Sequence, residues 1–146
     1  SAYKVGGAHQ HTPEMEQALS GAAGQPVSML FTPMLAPMSR GILGACTART
    51  SPGVAESTLR DALHDCYDAE PFVHVLPAGR QPATAATYGS NSAHLQVAAD
   101  RHSGRTTVVV ALDNLVKGAA GQALQNANRV LGLPEHVGLP VNGVAP

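Results

Sequence analysis

Ser92-Ala93-His94-Leu95-Gln96-Val97-Ala98-Ala99-Asp100, then Arg101-His102-Ser103-Gly104, then Arg105-Thr106-Thr107-Val108-Val109-Val110-Ala111-Leu112 is the stretch whose reading decides the fold. β-Branched residues crowd its second half, and the polar segment between the apolar runs reads as a hairpin turn. Two adjoining strands over 92–100 and 105–112 follow. Both faces of the pair are apolar: Leu95, Val97, Val108 and Val110 are backed by Ala98, Val109 and Ala111. One face is expected to meet helices. The other is left exposed, which points to a partner.

Upstream, Ser39–Thr50 reads as the longest strand. Arg40, Ile42, Gly44, Cys46 and Ala48 share one face, and Leu43, Ala45, Thr47 and Arg49 the other. Phe72–Leu76 and Val27–Phe31 read as shorter strands. Helices are expected over 13–20, with Thr12 as N-cap and Ser20-Gly21 as the stop, and over 117–131, closed by Gly132. A third covers 55–68, where Ala55, Leu59, Ala62, Leu63 and Cys66 recur at helical spacing. Residues 77–91 are ambiguous, and 133–146 read as an extended tail. Strands adjoining strands, with helices interspersed, give an α+β fold in one domain over 1–146.

With 44% apolar and 13% charged residues, the chain is that of a folded domain rather than a disordered segment. Nine basic against ten acidic residues and 3% aromatics leave no basic stripe, so no nucleic-acid partner is expected. No apolar run approaches a membrane span and no secretory signal pattern is present, so no membrane partner and a cytoplasmic location are expected. Two cysteines make no disulfide framework or zinc site. Cys46 and Cys66 read as small buried hydrophobes. His64 and His136 read as surface residues, His102 as a turn residue, and His74 and His94 as members of a polar sheet face. Lys117-Gly118-Ala119-Ala120-Gly121 fits no phosphate-loop pattern, and helix packing through small residues explains it.

His9-Gln10-His11-Thr12-Pro13-Glu14 sets two imidazoles and a carboxylate at the approach to a helix N-terminus. Three readings stay open there. The histidines can serve acid/base or anion-binding chemistry, or hydrogen-bond locally. With Glu14 they can also bind a metal, though no third strong ligand follows at zinc spacing, and no metal is expected. Ser39-Arg40-Gly41 follows a proline-bounded loop. The Arg40 fork suits a carboxylate or phosphate, unless it is a plain strand-end arginine.

Three segments together resemble the N-acetyl-γ-glutamyl-phosphate reductase family. Tyr3-Lys4-Val5 through His9-Gln10-His11-Thr12-Pro13-Glu14 is similar to that family's Tyr…His-Arg-His-Thr-Pro-Glu signature, with Gln10 in place of the usual arginine. Phe31-Thr32-Pro33 through Pro37-Met38-Ser39-Arg40-Gly41-Ile42-Leu43 is similar to its Phe-Thr-Pro…Pro-x-Ser-Arg-Gly-Ile segment. Gly89-Ser90-Asn91, Asp113 through Gly121 with Gln125-Asn126, and the ending Gly143-Val144-Ala145-Pro146 match its closing elements.

The resemblance implies an NADP-dependent oxidoreductase of arginine biosynthesis. Its mixed, largely antiparallel sheet, with helices packed on one face, would be like the C-terminal domain of glyceraldehyde-3-phosphate dehydrogenase-type enzymes. It also implies a separate Rossmann domain carrying the cofactor and the cysteine nucleophile, against which 114–146 would pack. His9 is then the expected acid/base residue, with His11 the alternative. Arg40, assisted by Ser39 and Glu14, would hold the small-molecule substrate, and Asn114 would contact the nicotinamide. Homo-oligomers would form through the sheet face. The beginning at Ser1-Ala2-Tyr3, without methionine, favours a fragment that binds no cofactor and is inert alone; a free-standing interaction module is the alternative.

Overall fold

The computed structural model describes residues 1–144; the end of the expected tail, Ala145 and Pro146, lies outside the described residues. The chain forms two compact units, Ser1–Met38 and a second beginning at Ser39.

The first unit is built on helix α1, Thr12–Ala23. It runs past the expected stop at Ser20-Gly21, and Gly24, at φ +65°, supplies the left-handed turn that ends it. Its N-cap is His11 rather than Thr12. The Thr12 N–H donates to the His9 carbonyl at 3.1 Å, and that turn draws Thr12 into the helix one position early. The strand expected over 27–31 does not form. Side chains of α1 take the N–H groups a ladder would need: Ser20 Oγ accepts from Val27 at 2.9 Å and Glu16 Oε1 from Met29 at 3.0 Å. An antiparallel bridge between Ala2 and Met34 closes the unit, with Tyr3 N–H on the Pro33 carbonyl at 3.2 Å.

The second unit is a four-stranded mixed sheet, as the α+β reading expects. Its strands are β1 (Ile42–Arg49), β2 (Val73–Val75), β3 (Ala93–Asp100) and β4 (Arg105–Leu112), in the order β1-β4-β3-β2. The β3–β4 hairpin is the one read from the sequence, and Asp100 organises its turn by accepting the His102 N–H at 2.9 Å and the Ser103 hydroxyl at 2.7 Å. β1 joins β4 antiparallel, and β2 joins β3 in parallel. Helix α2 (Glu56–Tyr67) packs on β2 and β3, and its Arg60 donates to the carbonyls of Leu76 at 2.9 Å and Val97 at 3.3 Å. The ambiguous stretch contains a short helix, α3 (Thr84–Thr87), against β4.

The final helix divides into a π-helical turn, Val116–Ala120, and α4, Gly121–Val130. Gly132, at φ +71°, closes α4 as read. Its N–H meets the Arg129 carbonyl at 3.2 Å, and the Leu133 N–H meets that of Asn128 at 2.8 Å, a Schellman arrangement. The tail then turns at Pro134–Val137 and returns along the unit, where the Asn91 N–H binds the Pro140 carbonyl and the Val144 N–H that of Tyr88, both at 2.8 Å.

Both cysteines are exposed, contrary to the buried reading. β1 is an edge strand exposed at every position except Gly44, which leaves Cys46 open. In α2 the inward stripe is Leu59, Arg60, Leu63 and Tyr67, rotated by one residue from the expected one, so Cys66 faces out. No helix among the described residues is long and apolar enough to cross a membrane.

Candidate active site

In the first unit, the turn entering α1 gathers four rings. The His9 ring meets Phe31 edge-on with centroids 5.0 Å apart, His11 at 5.1 Å and Tyr3 at 5.8 Å. His9 Nδ1 accepts the His11 backbone N–H at 3.2 Å. That nitrogen is therefore bare, and a neutral His9 ring carries its proton on Nε2. His11 is exposed, and its Nε2 has only a long contact, 3.5 Å, with the Gln10 amide. Glu14 is exposed in the first turn of α1. The cluster holds one ring whose lone pair is committed, leaving its Nε2–H as a hydrogen-bond donor, beside another open to solvent that can take up a proton. Among the described residues no three metal-ligating side chains converge.

In the second unit, Arg40 is held by groups that the sequence reading did not single out. Its Nε lies 2.7 Å from Asp113 Oδ2, and its Cζ lies 4.9 Å from the centre of the Tyr88 ring. Asp113 is fully buried at the end of β4. The same Oδ2 accepts the Gly89 N–H at 2.6 Å, while Oδ1 accepts those of Leu115 at 2.8 Å and Val116 at 2.9 Å. Burial alone would raise this carboxyl. The Arg40 guanidinium and the N–H groups of Gly89, Val116 and Leu115 outweigh it and hold the pKa at about 2. The same pair raises the Arg40 guanidinium.

Asn114 joins this cluster, its Oδ1 accepting the Gly41 N–H at 2.6 Å. Its Nδ2 is the half left for a ligand. Ser39 precedes Arg40 and is exposed. Arg40, Asn114 and Asp113 are thus brought together around the start of β1 and the end of β4. The pairing could have shown this: extending the Ile42↔Leu112 register by one sets Gly41 opposite Asp113.

A family model described as the dimerisation domain of semialdehyde dehydrogenase matches residues 1–114. The chain belongs to this family. N-acetyl-gamma-glutamyl-phosphate reductase of Acidothermus cellulolyticus is 62% identical over 146 residues, covering 100% of this chain and 43% of that protein. The same-named protein of Micrococcus luteus is 58% identical over 146 residues, again 100% of this chain and 42% of the relative. That of Arthrobacter sp. is 56% identical, with 100% and 43% covered. The resemblance read from the three motifs therefore extends along the whole chain. The chain spans about two fifths of the length of the curated relatives it matches.

As a semialdehyde dehydrogenase dimerisation domain, the chain carries both clusters inside the matched residues, with Asn114 the last of them. In the Lys117–Gly121 segment beyond it, the expected packing through small residues holds at Gly121 alone, since Gly118, Ala119 and Ala120 are exposed. Lys117 Nζ donates to Gln125 Oε1 at 2.8 Å and lies 5.5 Å from the Phe72 ring centre. Burial pushes that ammonium below its ordinary pKa, against Glu135 and Glu70. Gly121 is fully packed, since a Cβ there would collide with Asn91 Oδ1 and Val116.

Proposed function

We propose that this chain is the substrate-binding and oligomerisation part of a cytoplasmic N-acetyl-γ-glutamyl-phosphate reductase. The whole enzyme would reduce the acyl phosphate to N-acetylglutamate semialdehyde in arginine biosynthesis. The identity to such reductases over the full chain carries this reading.

NADPH would supply the hydride. The Lys117–Gly121 segment does not fit a dinucleotide: Gly121 is packed against Asn91 and Val116, and Lys117 is committed to Gln125. The cofactor is therefore assigned to a separate nucleotide-binding domain, which would also carry the cysteine nucleophile. The segment from Asn114 onward, nearly all outside the family match, is assigned to packing against it, with the Nδ2 of Asn114 left to meet the nicotinamide.

Within this chain, His9 and His11 would serve the acid/base step. His9, its ring held by Phe31 and Tyr3, would donate a hydrogen bond through Nε2 and become a proton carrier only if its Nδ1 is released, and His11 offers the accessible lone pair. Arg40 would hold a carboxylate or phosphoryl group of the substrate, with Ser39 and Glu14 assisting. Family membership, rather than a distance, joins the two clusters here. The purified chain alone is expected to give no NADPH-dependent turnover, and to gain it on mixing with a separately made nucleotide-binding half. Turnover by the chain alone would overturn the proposal.

The exposed edge strand β1 is assigned to a homo-oligomer contact of the sheet. Its apolar edge is open, with Ile42 45% and Leu43 57% exposed, and an open apolar edge strand is a pairing surface. In a thiol-labelling titration, Cys46 is expected to be protected as protein concentration rises while Cys66 stays reactive. Leu43→Lys should abolish that protection and leave a monomer by sedimentation. Equal labelling of both thiols at every concentration would refute this surface.

A further inference from the structure

We infer that Asp113 and Tyr88 are positioning residues that fix the plane and heading of the Arg40 guanidinium, so that the bound anion is presented in one orientation. The inference rests on the reading of Arg40 as the anion-holding residue and adds how it is held.

A guanidinium offers five N–H donors in one plane. Asp113 faces the buried Nε at 2.7 Å as an ion pair, without an aligned N–H···O hydrogen bond. Both oxygens of Asp113 are already filled by backbone donors, Oδ2 by Gly89 and Oδ1 by Leu115 and Val116. The carboxylate therefore cannot swing to follow the arginine. Those three N–H groups come from the loop before β3 and from the π-helical turn, so Arg40 is referenced to two segments at once. The Tyr88 ring, 4.9 Å from Cζ, covers one face and fixes rotation about the Nε contact.

With Nε buried against the Asp113 carboxylate and one face covered, the terminal nitrogens are the edge left for a ligand. Arg40 keeps 23% of its side-chain surface exposed, consistent with an open outer edge. An oxyanion gripped there lies in the guanidinium plane and takes two parallel hydrogen bonds, which suits a carboxylate or two oxygens of a phosphoryl group. A flexible surface arginine would hold the same charge without choosing its orientation.

The test is NMR of the arginine side chains in this chain, titrated with N-acetylglutamate and, separately, inorganic phosphate. In the wild type, the Arg40 Nε–H should exchange slowly before any ligand is added, and the terminal nitrogens should shift on titration. Tyr88→Leu and Asp113→Asn should each weaken the anion roughly tenfold and speed Nε–H exchange, the backbone spectrum of the remaining sheet staying in place. Arg40→Gln should abolish binding. Unchanged affinity and Nε–H exchange in Tyr88→Leu and Asp113→Asn, with binding lost in Arg40→Gln, would overturn positioning while leaving Arg40 as the anion holder. Binding that survives Arg40→Gln, or no binding by the wild type, would remove the anion-holding reading and this inference with it. If Asp113→Asn disturbs the whole spectrum, Tyr88→Leu decides alone.

Discussion

Asp113→Ala is expected to destabilise the second unit by about 1.5–3 kcal/mol, because it removes the carboxylate that pairs with the half-buried Arg40 and accepts the N–H groups of Gly89, Leu115 and Val116. Those donors are part-buried, so water takes up some of the loss. More of it is recovered where Arg40 turns its exposed edge to water. Even the lower end is a large share of the roughly 5–15 kcal/mol that holds a domain folded. Urea unfolding followed by circular dichroism measures it, and a loss under about 1 kcal/mol would show that the node contributes little.

The same carboxylate sets a pH dependence. Its folded pKa of about 2 lies below the ordinary value of 3.8, so its stabilisation is full above the ordinary value. It is lost as pH falls through about 4 toward 2, and amounts to about 2 kcal/mol. The alanine variant lacks this component. The stability gap between wild type and variant should therefore narrow on acidification over that window, and a gap that is flat or widens would contradict the assignment.

The sheet was legible because its signal is local. The Thr106–Val110 run, the turn at Arg101–Gly104 and the helical spacing in 55–68 each state their structure within a few residues. Two of the misreadings come from partners that no local window contains. Val27–Phe31 has strand chemistry, yet Ser20 and Glu16 of α1 claim its N–H groups. Cys46 sits among apolar neighbours that read as core, but the strand order puts β1 at the edge, and order is a property of pairing rather than of any window.

The candidate site divides in the same way. His9, His11, Ser39 and Arg40 announced themselves through contiguous motifs. Asp113 and Tyr88 did not, because their importance lies in touching a residue far away in sequence. Asp113 in particular stands between the strand read over 105–112 and the helix read over 117–131, a junction where aspartate is common. Only the antiparallel register of β1 with β4 shows that this junction lies beside the Ser39-Arg40-Gly41 entry.

In the reassembled enzyme, with a nucleotide-binding half added, His11→Ala is expected to lower turnover by about 10²–10⁴-fold, the usual yield of a positioned acid or base, and His9→Ala by less, since it removes a hydrogen-bond donor. The two losses should differ in kind. The Nδ1 of His9 is occupied by the His11 backbone N–H, so His9 works as donor through Nε2, whereas His11 has the lone pair free to accept. Removing the acceptor should flatten the acidic limb of the kcat/KM profile, since that limb reports protonation of the base. Removing the donor should leave that limb and lower the plateau. A profile in which His9→Ala alone loses the acidic limb would exchange the two roles. Full turnover in both variants, with association of the halves confirmed, would take acid/base chemistry away from this pair and leave its ring cluster a purely structural entry to α1.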